Sequence, residues 1–357
     1  MKVGIPTEIK PLEGRVGLVP AACAELIRHG HEVLVQAGAG HNSGYRNADY
    51  QAAGAQVLAD AASVYEAAEL IVKVKEPQEA DLAHLRAHHR LFCYLHLAAN
   101  RDLGARLKEV GLTAVAFETV RAGGILPLLA PMSEIAGRLA LQVGTYLLHQ
   151  PHGGRGLLLG GLAGAHRGHV VVLGAGVAGG AAVHTAVALG ARVTVFDIDR
   201  ERMNAMRAVG HNVTALYAYQ QAIGETLPSA DLLIGAVLLP GRRAPHLVSR
   251  EMIRCMAPGS VAIDISVDQG GCMETTRPTT YEDPVYVEEG VSHFCVTNMP
   301  GAVPRTASQA LSASLIPHVL RLASPDWDED PALMEGVNVR AGAYVNPAVK
   351  AELEDQG

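Results

Sequence analysis

Residues 170–199, VVVLGAGVAGGAAVHTAVALGARVTVFDID, constrain the fold of this chain more than any other stretch. A β-branched run stops at Gly174-Ala-Gly176-Val-Ala-Gly179, a small-residue segment follows, and a second apolar run closes on Asp197. That succession reads as strand, tight turn, helix, strand. Gly174 permits the turn, Gly176 lets a pyrophosphate reach the backbone, and Gly179 lets helix and strand pack closely. Val177 and Ala178 then open the helix, whose first N–H groups have no intrahelical partner and attract phosphate. Asp197 stands 18 residues past Gly179. A carboxylate there accepts ribose hydroxyls and repels a 2′-phosphate, so the spacing points to NAD rather than NADP. In a chain with 38 glycines a lone GxGxxG would carry little, and a structural turn with a solvated aspartate is the plain alternative. The coincidence of strand, glycines, helix, second strand and terminal acid carries the dinucleotide reading.

The same alternation extends along most of the chain. Apolar runs at residues 2–5, 32–36, 70–74, 91–95 and 112–117 predict strands. Helical patterns lie between them at 20–29, 60–68 and 101–110, with Asp60 placed to cap the second. A second series begins with a strand at 169–173 and a helix at 177–189. Strands at 192–197, 232–236 and 261–265 follow, with helices at 200–209 and 249–256. Such alternation predicts parallel, doubly wound sheets. Two longer helices bracket the second series. One spans 133–148, with Ser133 as its cap and Ile135, Leu139, Val143 and Leu147 as its stripe; the other spans 306–323 and is bent by Pro317. The chain is therefore expected to leave a first domain, build a second, and return.

At 357 residues the chain has length for two domains or three, and 49% hydrophobic residues supply their cores. Only 18% are charged, which excludes a mostly disordered chain. A net charge of −7 with no basic block argues against nucleic acid or anionic lipid as partners. The five cysteines form no CxxC pair, so neither a disulfide scaffold nor structural zinc is expected, and a reducing compartment fits. No signal peptide is legible at MKVGIPTEIK, and the glycines and His184 of the low-charge stretch 170–191 argue against a membrane span. The expectation is a cytoplasmic protein with no membrane partner.

In an open parallel sheet, ligands bind beyond the C-terminal ends of the strands. Residues that overrun those ends include Arg15, Lys75 in KVKEP, His96 in YLHLAAN and Asp268 in DISVDQGG. Each has a plain structural alternative: a solvated loop cation, a decorated strand end, an enclosed histidine, a turn cap. Their shared placement favours chemistry. Arginine and lysine suit a carboxylate, imidazole shuttles protons near neutrality, and an aspartate can hold water or an amine against a reacting carbon. Together they fit hydride transfer at a small carbon acid. No HExxH, Cys–His cluster or nucleophile elbow is present, so no metal is expected. Cys272 reads as a packing thiol.

At these residues the sequence resembles the alanine dehydrogenase family, which also holds the NAD-binding component of transhydrogenase. The likeness runs from Met1 to about Ala310, with an echo in EGVNV. MKVGIPTEIK, RVGLVP, KVKEP, YLHLA, LLAPMSEIAGRLA, GAGVAG, GAVLLPG, DQGGC and NMPGAVPRT stand in the family's order. The resemblance implies two Rossmann-like domains with a cleft between them: a substrate domain of residues 1–130 and 305–357, and an NAD domain of residues 131–304. It implies a homo-oligomer, usually a hexamer. Arg15 and Lys75 would bind the substrate, with His96 as acid–base and Asp268 as the second catalytic residue. Ser133, the glycine turn with Val177 and Ala178, Asp197, Arg202, Leu238, Leu239, Ile265, Asp268, Arg277, Val296, Asn298 and Met299 would contact NAD. The implied reaction converts L-alanine, NAD and water to pyruvate, ammonia and NADH. Leu129, Met132 and Tyr94 either close the pocket around the methyl group or are ordinary core. The chain departs from the family at YAYQQ, near Tyr217–Gln220, and in residues 324–333. The alternatives are a transhydrogenase-like NAD module and a non-catalytic NAD-binding regulator.

Overall fold

The computed structural model describes residues 1–237 and 245–354. The chain divides into two compact units: Met1–Met132 with Gly301–Gly357, and Ser133–Pro300. Six strands come first: β1 Lys2–Ile5, β2 Glu32–Gln36, β3 Gln56–Leu58, β4 Leu70–Val72, β5 Arg90–Cys93 and β6 Thr113–Ala116. The second unit holds β7 His169–Leu173, β8 Arg192–Asp197, β9 Val213–Tyr217, β10 Leu232–Gly235, β11 Val261–Asp264, β12 Val285–Glu288 and β13 Val291–Phe294. The returning segment adds β14 Val337–Arg340 and β15 Ala343–Tyr344.

Both sheets are parallel at heart. The first runs β15-β14-β6-β5-β4-β1-β2-β3, with β14 and β15 antiparallel at one edge. The second runs β12-β13-β11-β10-β7-β8-β9, with β12 antiparallel to β13. In each, the chain winds outward from a central strand, then crosses back to wind the other way. The reversal falls between β1 and β4 in one sheet and between β7 and β10 in the other. Strands covered on both faces read as continuous apolar runs, and β7 (HVVVL) is buried at every residue.

The predicted alternation is found, with instructive differences. Asp60 caps its helix, accepting from the Ser63 N–H at 2.8 Å. Ser133 is not a cap. The helix runs Ala130–Leu147, beginning three residues earlier, because Pro131 fits a first turn whose N–H groups lack partners anyway. The long C-terminal helix, Pro304–Leu322, continues through Pro317. Its Ser308 and Ser312 hydroxyls accept the Val16 and Val19 N–H groups, each at 2.9 Å, and so secure the loop that carries Arg15. Val339 and Tyr344 of the returning segment lie in one apolar cluster with Ile71, Leu91, Leu107 and Ala114, which makes that segment part of the first unit's core. The divergent stretch 324–333 is also built in: Trp327 is buried, with the Arg90 and Arg340 guanidinium groups over its ring at 5.0 and 5.3 Å.

Neighbouring glycines in the helix Val177–Ala188 are not equivalent. A Cβ on Gly179 would lie 1.8 Å from the Gly174 carbonyl oxygen, whereas one on Gly180 would meet only Met206, at ordinary contact distance. Gly179→Ala should therefore destabilise the chain by about 3 kcal/mol or more. Gly180→Ala should be neutral, or stabilising by up to about 1 kcal/mol, through helix propensity. Denaturant unfolding of the two variants checks the contrast.

Candidate functional site

The expected strands at 70–74, 91–95 and 112–117 stop early, at Val72, Cys93 and Ala116. Side chains take over from the ladder there. Past β4, the Val74 and Lys75 N–H groups donate to the Glu8 carboxylate at 2.6 and 3.3 Å. Past β5, the Leu95 and His96 N–H groups donate to Glu118 Oε1 at 3.2 and 2.6 Å. Glu8 follows β1 and Glu118 follows β6, each on a strand adjacent to the turn it holds. His96 sits at φ 49°, ψ 42°, a left-handed conformation costing about 1–3 kcal/mol in a non-glycine residue. Its exposed imidazole lies parallel to the buried Tyr94 ring, with centroids 5.7 Å apart. The Tyr94 hydroxyl donates to the Leu128 carbonyl at 2.7 Å, and the ring packs edge-on against Phe117.

Arg15 is buried and gripped by Glu13 through two parallel bonds, Nε–Oε1 at 2.7 Å and a terminal nitrogen to Oε2 at 2.5 Å. Its other terminal nitrogen meets Met132 Sδ at 3.2 Å. Burial opposes the Glu13 charge, but Arg15 outweighs it and holds the carboxyl below the usual range. Burial, then the nearby Arg15 cation, pushes the Lys75 ammonium below the ordinary lysine value. Arg15 thus shares one electrostatic neighbourhood with Lys75 and Tyr94 in the first unit, and His96 lies against the Tyr94 ring. Beneath it, Lys73 is fully buried, 3.4 Å from both Glu8 Oε2 and Asp81 Oδ2. Burial alone would depress Lys73, yet these two carboxylates raise it.

The second unit repeats the device. Gly174 has φ +93°, and a Cβ there would strike the Ala236 carbonyl of the adjacent strand end at 2.5 Å. Gly176 is different: among the described residues a Cβ would meet nothing closer than an Arg202 nitrogen at 4.0 Å. Among those residues nothing crowds the turn at Gly176, which is what a phosphate approaching the Val177 helix end requires. Asp197 is buried, its oxygens accepting the Ala175 N–H at 2.6 Å and the Asp199 N–H at 2.8 Å. It therefore braces the glycine turn, with lone pairs to spare for a ligand. Ser133 lies one turn before Gly137, whose position abuts the Ala178 carbonyl. Ile265 extends β11 by donating to the Gly235 carbonyl at 2.8 Å. Asp264 accepts the Ser266 and Cys272 N–H groups, both at 2.9 Å, and the Thr276 hydroxyl at 2.8 Å. The loop bearing the exposed Asp268 is wound about that carboxylate. Burial pushes Asp264 upward despite those bonds, and Cys272 is a buried thiol beside it. Arg277 stacks on Tyr286 at 4.1 Å, and Val296 and Met299 are buried. Asn298 has φ +60°. Leu238 and Leu239 lie outside the described residues.

Sequence reasoning misses Glu8, Glu13, Glu118 and Asp264. A signal for them exists: an acidic residue at, or shortly after, the end of a buried apolar run. Among the described residues no group of three or more His, Cys, Asp or Glu side chains could hold a metal ion.

Two sheets wound about central strands, one of them opening on a glycine turn, define a Rossmann-like two-domain α/β protein. Family models described as the N-terminal and C-terminal domains of alanine dehydrogenase/PNT match residues 4–136 and 140–347. The chain belongs to that family. An alanine dehydrogenase of Mycolicibacterium smegmatis is 47% identical over 99% of this chain and 97% of its own length. A solved L-alanine dehydrogenase superposes with a TM-score of 0.96 at 47% identity, covering both chains fully. A transhydrogenase from Sinorhizobium meliloti gives 0.86 at 28% identity, over 98% of this chain and 100% of its own.

Gly176→Ala should leave thermal stability within about 0.5 kcal/mol of the parent, since among the described residues the methyl group meets only the Arg202 side-chain end, at 4.0 Å. It should nevertheless weaken dinucleotide binding at least tenfold, read as NADH fluorescence. Equal affinities would show that the open face of the turn is not used.

Proposed function

We propose that this chain is an L-alanine dehydrogenase, catalysing the reversible NAD-dependent oxidative deamination of L-alanine to pyruvate and ammonia. Near-half identity to alanine dehydrogenases over almost the whole chain supports the activity. The observation that supports the assignment of residues is that Arg15, Lys75 and His96 stand on the loops following the adjacent strands β1, β4 and β5 of one unit. The open Gly176 face, the Val177 helix end and Asp197 fit a dinucleotide, with NAD preferred because Asp197 would repel a 2′-phosphate. Ser133, Ala178, Arg202, Ile265, Arg277, Val296, Asn298 and Met299 are the further proposed contacts. When bound, NAD supplies the acceptor for the hydride of the substrate Cα.

The chain's own residues do the rest. Arg15 has part of its guanidinium fork committed to Glu13, so it is fixed in orientation before a ligand arrives. Lys75 adds the second cation for the substrate carboxylate and carbonyl end. His96 projects an exposed imidazole from a rigid backbone, suited to taking the proton released as water adds to the imine and to returning it as ammonia leaves. Asp268 holds the water or amine against the reacting carbon. A homo-oligomer, a hexamer by the family resemblance, and a cytoplasmic location complete the proposal; the five unpaired cysteines fit a reducing compartment. Among the described residues no helix is long and apolar enough to cross a membrane.

Purified protein given L-alanine and NAD at alkaline pH should generate NADH absorbance. His96→Ala should bind NADH almost normally yet lose turnover by on the order of 10²-fold or more. Transfer of hydride between nucleotides without any use of alanine would favour the transhydrogenase-like alternative. The lowered Lys75 value also has a consequence. Its cation is the form that binds a carboxylate, so pyruvate affinity should decline as pH rises through a value below the ordinary lysine pKa of about 10.4. Lys75→Arg, which stays protonated, should flatten that limb of the pyruvate binding profile.

A further inference from the structure

We propose that Glu118 is a positioning residue for His96: its carboxylate clamps the turn 95–96 and thereby aims the imidazole. The inference deepens the dehydrogenase reading and rests on it for the role of His96. Glu118 Oε1 accepts the His96 N–H at 2.6 Å and the Leu95 N–H at 3.2 Å, while Oε2 stands 3.3 Å from the Leu95 nitrogen. These are charge-assisted bonds, stronger than a carbonyl would provide. They fall on the residue whose backbone is held left-handed at φ 49°. Without an acceptor the turn would relax toward right-handed or extended backbone and swing the imidazole off the Tyr94 ring, to which it is parallel within 4°. Among the described residues no ion pair competes for this carboxylate. Glu118 itself sits on the short turn Phe117–Thr119, directly after β6, and Phe117 packs against Tyr94. The clamp and the stacking platform are thus fixed by the same turn.

The geometry separates three substitutions. Glu118→Ala removes the acceptor. Glu118→Asp is one carbon too short to reach the amides. Glu118→Gln keeps an oxygen where Oε1 stands, so it preserves the two bonds to that atom in neutral, weaker form and gives up only the longer one from the Leu95 N–H to Oε2.

The test is a double-mutant cycle on the full-length enzyme with L-alanine and NAD, alongside hydrogen–deuterium exchange of peptides covering residues 94–97. Glu118→Ala should lower kcat on the order of 10²-fold, as a misplaced catalytic group does, with NADH affinity little changed and the melting temperature lowered by the unmet amides. Glu118→Gln should recover most of the loss. In a His96→Ala background, Glu118→Ala should cost less than about twofold, because its effect passes through the missing imidazole. Exchange should quicken at residues 95 and 96 in Glu118→Ala and not elsewhere in the unit. Independent, multiplying losses in the cycle would overturn the proposal, as would a Gln variant as poor as Ala. Unchanged exchange at 95–96 would overturn it even if the Ala variant failed in turnover. If the parent enzyme made no NADH from alanine, the dehydrogenase reading would fall, while the exchange result would still decide whether the clamp exists.

Discussion

A parallel sheet satisfies its backbone only as far as both strands of a pair continue. Beyond that point each N–H is an obligatory donor without a ladder partner. In this chain, carboxylates from neighbouring strand ends meet those donors: Glu8 for Val74 and Lys75, Glu118 for Leu95 and His96, and Asp197 for Ala175; Asp264 does the same for Ser266 and Cys272 in the loop after its own strand. The turns that carry the candidate functional side chains are the same turns that would otherwise leave backbone unsatisfied. Closing the sheet and aiming the site are one physical act.

Placing carboxylates in the interior has an electrostatic cost, and the structure offsets it locally. Glu13 is matched by Arg15 in a buried bidentate pair. Glu8 and Asp81 flank Lys73, although burial still leaves Glu8 more readily protonated than an ordinary glutamate. Lys10 pairs with Glu76 at the rim. The result is a set of committed charges around Lys75, whose own proton is loosened by burial and by Arg15. Arg15 is thus a cation already held in place, and Lys75 is one able to respond, as the proposed carboxylate site requires.

Much of this is legible in the sequence because apolar periodicity is strong in strands buried on both faces. The strands Lys2–Ile5, His169–Leu173 and Arg192–Asp197 stand where the pattern puts them. The weak spots are those with little periodicity to read. β3 has three residues, β9 is an edge strand exposed over much of its length, and β14 and β15 belong to a sheet begun more than 200 residues earlier. Ser133 has the chemistry of a cap, but the first-turn preference of Pro131 prevails and starts the helix sooner. The strand-end rule singles out cations and a histidine and passes over the acids that hold them. The partners of Glu8 and Glu118 are backbone amides brought near by strand order, which nothing local in the sequence reports, whereas Glu13 and Asp264 hold groups of their own loops.

The reaction assigned to this arrangement removes hydride from the substrate α carbon, and isotope transfer tests it most directly. Purified protein incubated with Cα-deuterated L-alanine and NAD should yield NADH carrying one deuterium, together with pyruvate lacking it. NADH without the label, or no reduction at all under conditions where the dinucleotide is bound, would contradict the account.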